Sequence, residues 1–287
     1  MDANSLNTGY GYRGIRIMAN LNFSKDIMRV QNSTAEGIGL YRTEFEFMLA
    51  GRRLDESEQA ERYYKVFQAM GELPVFIRLL DIEEDKSIPA FDKMQKENNS
   101  RGSYGAWFLL EHPEILHEQV RAMAAASQGK PLNVVYPMIM DAKQFIRLKA
   151  MFLQAVSSIK TGEIRHGPML ELPSACLESR ALLRKADFGC IGSNDLIKYL
   201  FGIDRNNDGE TIPNISHHPI LHSLVKSVAF TAEKEGRPLL FCGELAKDPR
   251  NLEWLMASGI RNISIIPASI PRIRAKLDEM VLSPVAN

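Results

Sequence analysis

Eight polar or reactive side chains in this sequence stand where short apolar runs end. They are Arg42, Arg78, Asp81, Glu171, Asn194, Asp195, Cys242 and Glu244. Guanidinium groups offer forked donors that match the oxygens of phosphate or carboxylate. A pair of carboxylates on neighbouring strands suits Mg2+, which takes a few carboxylates and completes its shell with substrate oxygens. The set predicts a small anionic substrate that carries phosphate and binds with Mg2+, the metal carboxylates being Glu171 and Asp195.

Cys242 ends the apolar run PLLFC, directly before a glycine and a glutamate. A cysteine that only packs would lie inside such a run, as Cys176 and Cys190 do, so its position favours a chemical role. Arg205, in GIDRNND, follows the sixth apolar run by about ten residues and is a further candidate for binding the anion. No cysteine and histidine spacing typical of zinc is present, and neither a P-loop nor GxGxxG indicates a nucleotide.

The same residues also have plain structural interpretations, which the sequence leaves open. Arg42 and Arg78 could form ion pairs with Glu44 and Asp81, and Glu171 could pair with either arginine. The polar pair after the sixth run could cap the following helix. The thiol could simply pack as a small apolar group.

Alternation of short apolar runs with longer amphipathic stretches predicts the elements that position these residues. Eight runs are predicted as buried parallel strands, at residues 14–20, 37–43, 74–81, 132–139, 167–173, 187–193, 238–244 and 262–267. Helices are predicted at residues 55–70, 112–127, 141–159 and 217–236. Eight such units favour the α/β class and a (β/α)8 TIM barrel, whose active site lies at the C-terminal strand ends.

Length and composition fit one domain. Residues 14–280 are expected to form the barrel, with tails at 1–13 and 281–287, and the stretch 82–105 is expected to be a functional loop. The 35 basic and 35 acidic residues balance, so bulk attraction to nucleic acid or a membrane is not indicated. Three cysteines without a close pair in the sequence do not form a disulfide framework, which fits a reducing cytoplasm.

Five motifs carry a resemblance to a known family. GIGLYRTEFEFM, IRLLDIEEDK, MLELPSA, IGSNDLIKYLFGIDRNN and LLFCGELAKDP occur in this order at sensible spacings. They resemble the phosphoenolpyruvate (PEP) binding barrel of PEP-utilising enzymes, which include enzyme I of the bacterial sugar phosphotransferase system, PEP synthase and pyruvate phosphate dikinase. The resemblance to enzyme I is the strongest, and it runs from about residue 15 to about residue 278.

The resemblance implies a role for each matching residue. It implies that the phosphate and carboxylate of PEP are bound by Arg42, Arg78 and Arg205, with Asn194 on the phosphate. It implies Mg2+ on Glu171 and Asp195, and it makes Cys242 the proton donor to the methylene carbon of enolpyruvate. The phosphoryl group would pass to a histidine on a further domain, in the same protein or another, because the 287 residues contain no segment that resembles the family's phosphohistidine domain. Related barrels pair as homodimers.

The sequence departs from the family pattern at several positions. Arg78 is followed by Leu79 instead of threonine, Glu83 and Glu84 replace a pair of glycines, and Tyr104 replaces an arginine. Further departures are Trp107, Ile197, Lys198 and Lys247. Two hypotheses therefore remain: a catalytic phosphotransferase domain, or a degenerate module that senses PEP or a similar anion, or scaffolds a partner, without turnover. A standalone Mg2+-dependent lyase or phosphomutase is a weaker third.

Overall fold

A computed structural model describes residues 11–82, 88, 91, 94, 104–203 and 215–282 of the chain. Eight parallel strands pair in chain order and close on themselves, so that the last strand returns to the first. The strands are β1 Arg16–Leu21, β2 Ile38–Arg42, β3 Val75–Arg78, β4 Leu132–Tyr136, β5 Ile164–Leu170, β6 Gly189–Gly192, β7 Leu239–Cys242 and β8 Asn262–Ile265. The predicted TIM barrel is confirmed.

Helices follow the strands on the outside of the barrel. Those in the described residues are α1 Ile27–Gln31, α2 Glu44–Ala50, α3 Glu56–Met70, α4 Gly105–Glu111, α5 Pro113–Ser127, α6 Ala142–Ala155, α7 Pro173–Leu177, α8 Ser179–Lys185, α9 Ser193–Phe201, α10 Pro219–Lys234, α11 Leu252–Ala257 and α12 Ile270–Leu282. Asp55 begins α3 with a capping box to Glu58, and Asp141 caps α6 through the N–H of Gln144. No helix in the described ranges has the length and apolar character that crossing a membrane requires.

Each of the eight predicted runs overlaps a strand, and several boundaries differ from expectation. Strands β3, β4 and β5 end at Arg78, Tyr136 and Leu170, three residues before the predicted runs end. Strand β5 begins at Ile164, three residues before the predicted run, because Ile164 and Arg165 pair with Leu132 and Asn133 of β4. Helix α6 ends at Ala155, short of the predicted residue 159. Two serines follow there, and serine hydroxyls compete with the helical hydrogen bonds. The Ser157 hydroxyl indeed donates to the carbonyl of Gln154.

Two apolar cores result from the alternation of side chains along the strands. The larger core lies between the barrel wall and the helices. A small core fills the barrel interior and consists of Met18, Leu40, Phe76, Val135, Met169, Phe188, Cys190, Leu240 and Cys242. Two of the three cysteines therefore point into the barrel. The predicted loop at 82–105 lies mostly outside the described residues.

Candidate active site

One pocket at the C-terminal ends of the strands is lined by six of the seven residues to which the family resemblance assigns a role. It has a volume of about 550 Å³ and is lined by Asn20, Leu40, Arg42, Arg78, Met169, Glu171, Gly192, Asn194, Asp195, Cys242, Gly243, Glu244 and Ile266. Arg42, Arg78 and Cys242 are each the last residue of a strand. The seventh, Arg205, lies outside the described residues.

Arg78 is buried and is held by two acids. Its Nη2 donates to Glu44 Oε1 at 2.5 Å and lies 2.9 Å from Asp81 Oδ2, while Nη1 contacts the sulfur of Met169 at 3.6 Å. Burial lowers the pKa of Arg78, but the charges of Asp81 and Glu44 raise it by more, so the guanidinium stays protonated. Its Nε has no hydrogen-bond partner in the described structure and retains a donor for a ligand.

Arg42 is oriented differently from Arg78. Both its Nε and its Nη2 donate to Asn22 Oδ1, at 2.9 and 2.7 Å, and its Cζ lies 4.7 Å from the centre of the Phe45 ring. Of the ion pairs that the sequence suggested for the two arginines, those of Arg78 with Glu44 and Asp81 are present. Asn22 is not among the residues predicted from the sequence, although it too follows the end of a strand, one residue after β1.

Glu171 follows β5 directly and is almost fully buried. Its Oε1 accepts a 2.6 Å hydrogen bond from the N–H of Met138, whose φ of 51° is uncommon for a residue other than glycine. Its Oε2 has no partner among the described residues. Burial, followed by the charges of Asp195 and Asp81, raises the pKa of Glu171 well above its usual range. A Cβ on Gly192 would lie 2.6 Å from this Oε2, so only glycine leaves room for the carboxylate.

Asn194 and Asp195 lie in the first turn of α9, which begins directly after β6. The Asn194 Oδ1 accepts a 2.8 Å hydrogen bond from the N–H of Glu244, which ties this helix to the end of β7. With its oxygen occupied in this way, the amide group of Asn194 keeps its nitrogen as a donor for a ligand oxygen. Gly243 allows the chain after β7 to lie close to the first turn of α9, because a Cβ at this position would lie 2.2 Å from Ser193 Oγ.

Cys242 and Cys190 lie in contact inside the barrel, with their sulfurs 3.2 Å apart. They come from adjacent strands, in which Cys190 pairs with Leu240. Their 52-residue separation in the sequence concealed this proximity. The hydrogen bond to Cys242, then burial, raises the pKa of Cys190 well above its usual range. A second contact of the Cys242 sulfur is the carbonyl oxygen of Gly39, at 3.9 Å.

Comparison with known proteins decides the family. Residues 5–281 match the family described as PEP-utilising enzyme, PEP-binding domain. The chain belongs to the PEP-utilising enzymes. A multiphosphoryl transfer protein of Xanthomonas campestris is 34% identical over 270 residues, which is 94% of this chain and 32% of that protein.

Two further relatives of this PEP-binding domain are PEP-protein phosphotransferases. The one from Staphylococcus epidermidis is 32% identical over 94% of this chain and 48% of its own length. The one from Haemophilus influenzae is 34% identical over 91% of this chain and 46% of its own length. The chain thus spans between about a third and a half of the length of these curated relatives.

Solved structures show the fold of the PEP-binding domain in other proteins. An HpcH/HpaI aldolase from Desulfitobacterium hafniense superposes with a TM-score of 0.54 at 13% identity and covers 95% of both chains. An HpcH/HpaI aldolase/citrate lyase family protein from Burkholderia cenocepacia gives 0.56 at 13% identity over 98% of both chains. At this level of identity the likeness concerns the barrel alone.

The charges around the pocket of this PEP-binding domain fit a divalent cation. The charges of four carboxylates, those of Glu44, Asp81, Glu171 and Asp195, act on the buried guanidinium of Arg78. The excess of negative charge and the unpartnered oxygen of Glu171 suit Mg2+ bound by Glu171 and Asp195. In the described part of the chain, no group of three or more His, Cys, Asp or Glu side chains could hold a metal ion. Mg2+ would therefore complete its shell with substrate oxygens and water.

The departures from the family pattern do not line this pocket where the structure describes them. Leu79 is buried in the outer core, and Tyr104 precedes α4. Lys198 and Lys247 line a neighbouring cavity of about 1220 Å³, where Lys247 forms an ion pair with Glu244. Glu83 and Glu84 lie outside the described residues.

Proposed function

We propose that this chain is the PEP-binding catalytic domain of a PEP-protein phosphotransferase. In this proposal, the phosphoryl group of PEP is transferred to a histidine on another domain or protein. The transfer depends on Mg2+, and the remainder of PEP becomes pyruvate. The supporting observation is one pocket that combines two guanidiniums, a pair of carboxylates with an unpartnered oxygen, and a thiol at a strand end.

The first step is phosphoryl transfer, which depends mainly on positioning and charge neutralisation. Arg42 and Arg78 bind the phosphate and carboxylate of PEP, and Arg205 is assigned to the same anion. The Asn194 nitrogen donates to a phosphate oxygen, while Glu171 and Asp195 hold Mg2+. Mg2+ held by these carboxylates would supply positive charge that offsets the charge developing on the substrate. The bond between phosphorus and the enol oxygen breaks, and its electron pair stays on that oxygen.

The second step is proton transfer to the enolate. The Cys242 thiol gives its proton to the methylene carbon, which produces pyruvate and leaves a thiolate. The pocket supports this role because the Cys242 side chain reaches it from the end of β7 although the residue is only 1% exposed to solvent. A shielded thiol keeps competing water away from the carbanion.

The alternative of a sensor without turnover has less support from the geometry. Among the described residues, Leu79, Tyr104, Ile197 and Lys247 are absent from the lining of the pocket, although Ile197 and Lys247 line the neighbouring cavity. The described residues of the proposed reaction line the pocket together, and Arg205 lies outside the described residues. Formation of a homodimer stays a prediction from the family resemblance, and a cytoplasmic location stays a prediction from the cysteine content.

The experiment is solvent exchange of the methyl protons of pyruvate, which needs no histidine domain. The chain is incubated with pyruvate, Mg2+ and phosphate in deuterated water, and the methyl signal is followed by NMR. We expect a loss of signal that requires Mg2+ and disappears in Cys242→Ala but persists in Cys176→Ala, which removes a buried thiol outside the pocket. Saturable PEP binding without exchange above the Cys242→Ala background would instead establish the sensor. If the chain showed neither PEP binding nor exchange, both the catalytic hypothesis and the sensor hypothesis would be refuted.

A further inference from the structure

Cys190 is a buried thiol that the proposed reaction does not use, and it lies against the proposed proton donor. The two sulfurs are 3.2 Å apart within the inner core, whose other members are apolar or aromatic side chains. A thiolate formed by Cys242 in such surroundings has few polar groups next to it. The polar groups that contact the sulfur therefore decide how readily it releases and regains a proton.

The two polar contacts of the Cys242 sulfur have different capacities. The carbonyl oxygen of Gly39, at 3.9 Å, is an acceptor and offers nothing to a thiolate. The thiol of Cys190 can donate, and a hydrogen bond to the charged form favours that form. We propose that Cys190 is a positioning residue, which donates its S–H to the Cys242 sulfur and stabilises the thiolate that remains after proton transfer.

This proposal rests on the proposed function of Cys242. The donor role requires that Cys190 keep its own proton. The contact with Cys242 raises the pKa of Cys190, and burial raises it further, independently of that contact. Two charged groups from other elements also act on Cys190: Glu171 after β5 favours the protonated thiol, and Arg78 of β3 opposes it. The donation also directs the proton of Cys242 away from Cys190, since one thiol cannot donate and receive along the same line. The proton of Cys242 is then left to its other contact, the carbonyl oxygen of Gly39 at 3.9 Å.

The test compares variants of Cys190 with and without a donor. Cys190→Ser keeps a hydroxyl donor, whereas Cys190→Ala and Cys190→Val remove it, and thermal melting identifies any variant that fails to fold. The pH dependence of pyruvate exchange is measured for each, because exchange from pyruvate requires the thiolate. We expect the midpoint of the rising limb to move upward by about one pH unit without a donor, from the typical strength of a hydrogen bond to a charged group. Cys190→Ser should stay near the parent chain.

A second readout does not depend on catalysis. The rate of iodoacetamide alkylation of Cys242 is followed against pH by peptide mass spectrometry, in the same variants and in Cys176→Ala, which should match the parent chain. The same upward shift in Cys190→Ala and Cys190→Val, and its absence in Cys190→Ser, would support the donor role. Equal midpoints in all chains, or a serine variant that behaves like alanine, would overturn it. If Cys242→Ala still exchanged pyruvate, the proposed function would fail while the alkylation profile still tested Cys190.

Discussion

The two ends of the barrel both carry cations, but they differ in how those cations are compensated. At the N-terminal end, a pocket of about 690 Å³ is lined by Arg16, Lys130 and Arg165 among others. Arg165 there donates to Glu163 at 2.9 and 2.6 Å, and Lys130 donates to two backbone carbonyls at 3.3 and 3.1 Å. At the C-terminal end, four carboxylates act on one buried guanidinium, and the Oε2 of Glu171 has no partner among the described residues.

The two ends both have cavities and differ in charge balance, and the uncompensated charge favours the C-terminal end as the site of function. The N-terminal pocket, about 690 Å³, is intermediate in volume between the two cavities at the C-terminal end, about 550 and 1220 Å³, and Lys130 and Arg165 there donate to acceptors of the chain itself. An uncompensated set of buried charges is costly, and it is retained where a ligand completes it. Substitutions at the two ends test this contrast.

The largest effect is expected at Arg78. Arg78→Leu leaves Glu44 and Asp81 buried without their cation, and should lower the free energy of unfolding by about 3–5 kcal/mol. Arg165→Leu at the other end removes a pair with the 56% exposed Glu163 and should cost less than about 1 kcal/mol. Urea denaturation at neutral pH measures both. Adding Glu44→Gln and Asp81→Asn to the Arg78 variant should recover part of the loss, and equal losses at the two ends would contradict the comparison.

Glu171 tests whether the excess charge serves a cation. Glu171→Gln should slow Mg2+-dependent pyruvate exchange by at least about a hundredfold, since it removes one of two carboxylates that would hold the metal. The same change should leave the melting temperature equal or higher, because it relieves repulsion among buried carboxylates. Glu163→Gln, at the opposite end, should alter neither. A Glu171 variant that melts lower but exchanges normally would make Glu171 a structural residue.

The sequence allowed the barrel and most of the site to be predicted for one physical reason. Parallel strands buried on both faces are short apolar runs, and in a closed barrel their C-terminal ends meet at one end, so the residue pattern alone predicts that Arg42, Glu171 and Cys242 lie together. Strand β5 was predicted to begin too late because Arg165 and His166 make its first half polar, although they pair normally with β4.

Contacts that depend on side-chain direction could not be predicted. The contact between Cys190 and Cys242 requires the register of β6 with β7. Predicting that Arg78 binds Glu44 and that Arg42 binds Asn22 would require knowledge of the side-chain rotamers. In each case the sequence offers several partners, and the packing around them selects one.

Strand β5 connects the two ends of the barrel. It has His166 in its first half, and Glu171 follows its last residue. Burial, then the charge of Lys149, lowers the pKa of His166 to about 4, and the Tyr136 hydroxyl lies 2.8 Å from its Nδ1. The unfolded chain therefore binds the proton more readily than the folded chain, so stability falls as pH drops from about 6.5 toward 4.

The expected loss between pH 7.5 and pH 5 is about 2 kcal/mol from this residue. Urea denaturation at both pH values measures it, and His166→Gln should reduce the pH dependence by that amount. Glu163→Gln, three residues earlier on the exposed surface, serves as the matched control and should leave it unchanged. An identical pH dependence with and without the imidazole would show that His166 is not held neutral by the fold.

The smallest effect is expected at Asn22, and it separates the two arginines of the pocket. Arg78 is held by carboxylates, whereas the Nε and Nη2 of Arg42 both donate to one neutral amide oxygen. Asn22→Ala should therefore weaken PEP binding, measured by calorimetry, by about tenfold or ~1.4 kcal/mol. Stability should change by less than about 0.5 kcal/mol, because Asn22 is only half-buried.

Asn22→Asp supplies the control. It keeps the acceptor for Arg42 but adds a negative charge, so that Arg42, like Arg78, is held by a carboxylate. It should also weaken PEP binding, through repulsion of the anion, and this loss should shrink as salt is raised. The loss in Asn22→Ala is one of orientation and should persist at high salt. If both variants bound PEP as the parent chain does, Arg42 would need no alignment by Asn22. If Asn22→Ala bound PEP like the parent chain and Asn22→Asp did not, the charge near Arg42 would affect PEP binding and the orientation of Arg42 would not.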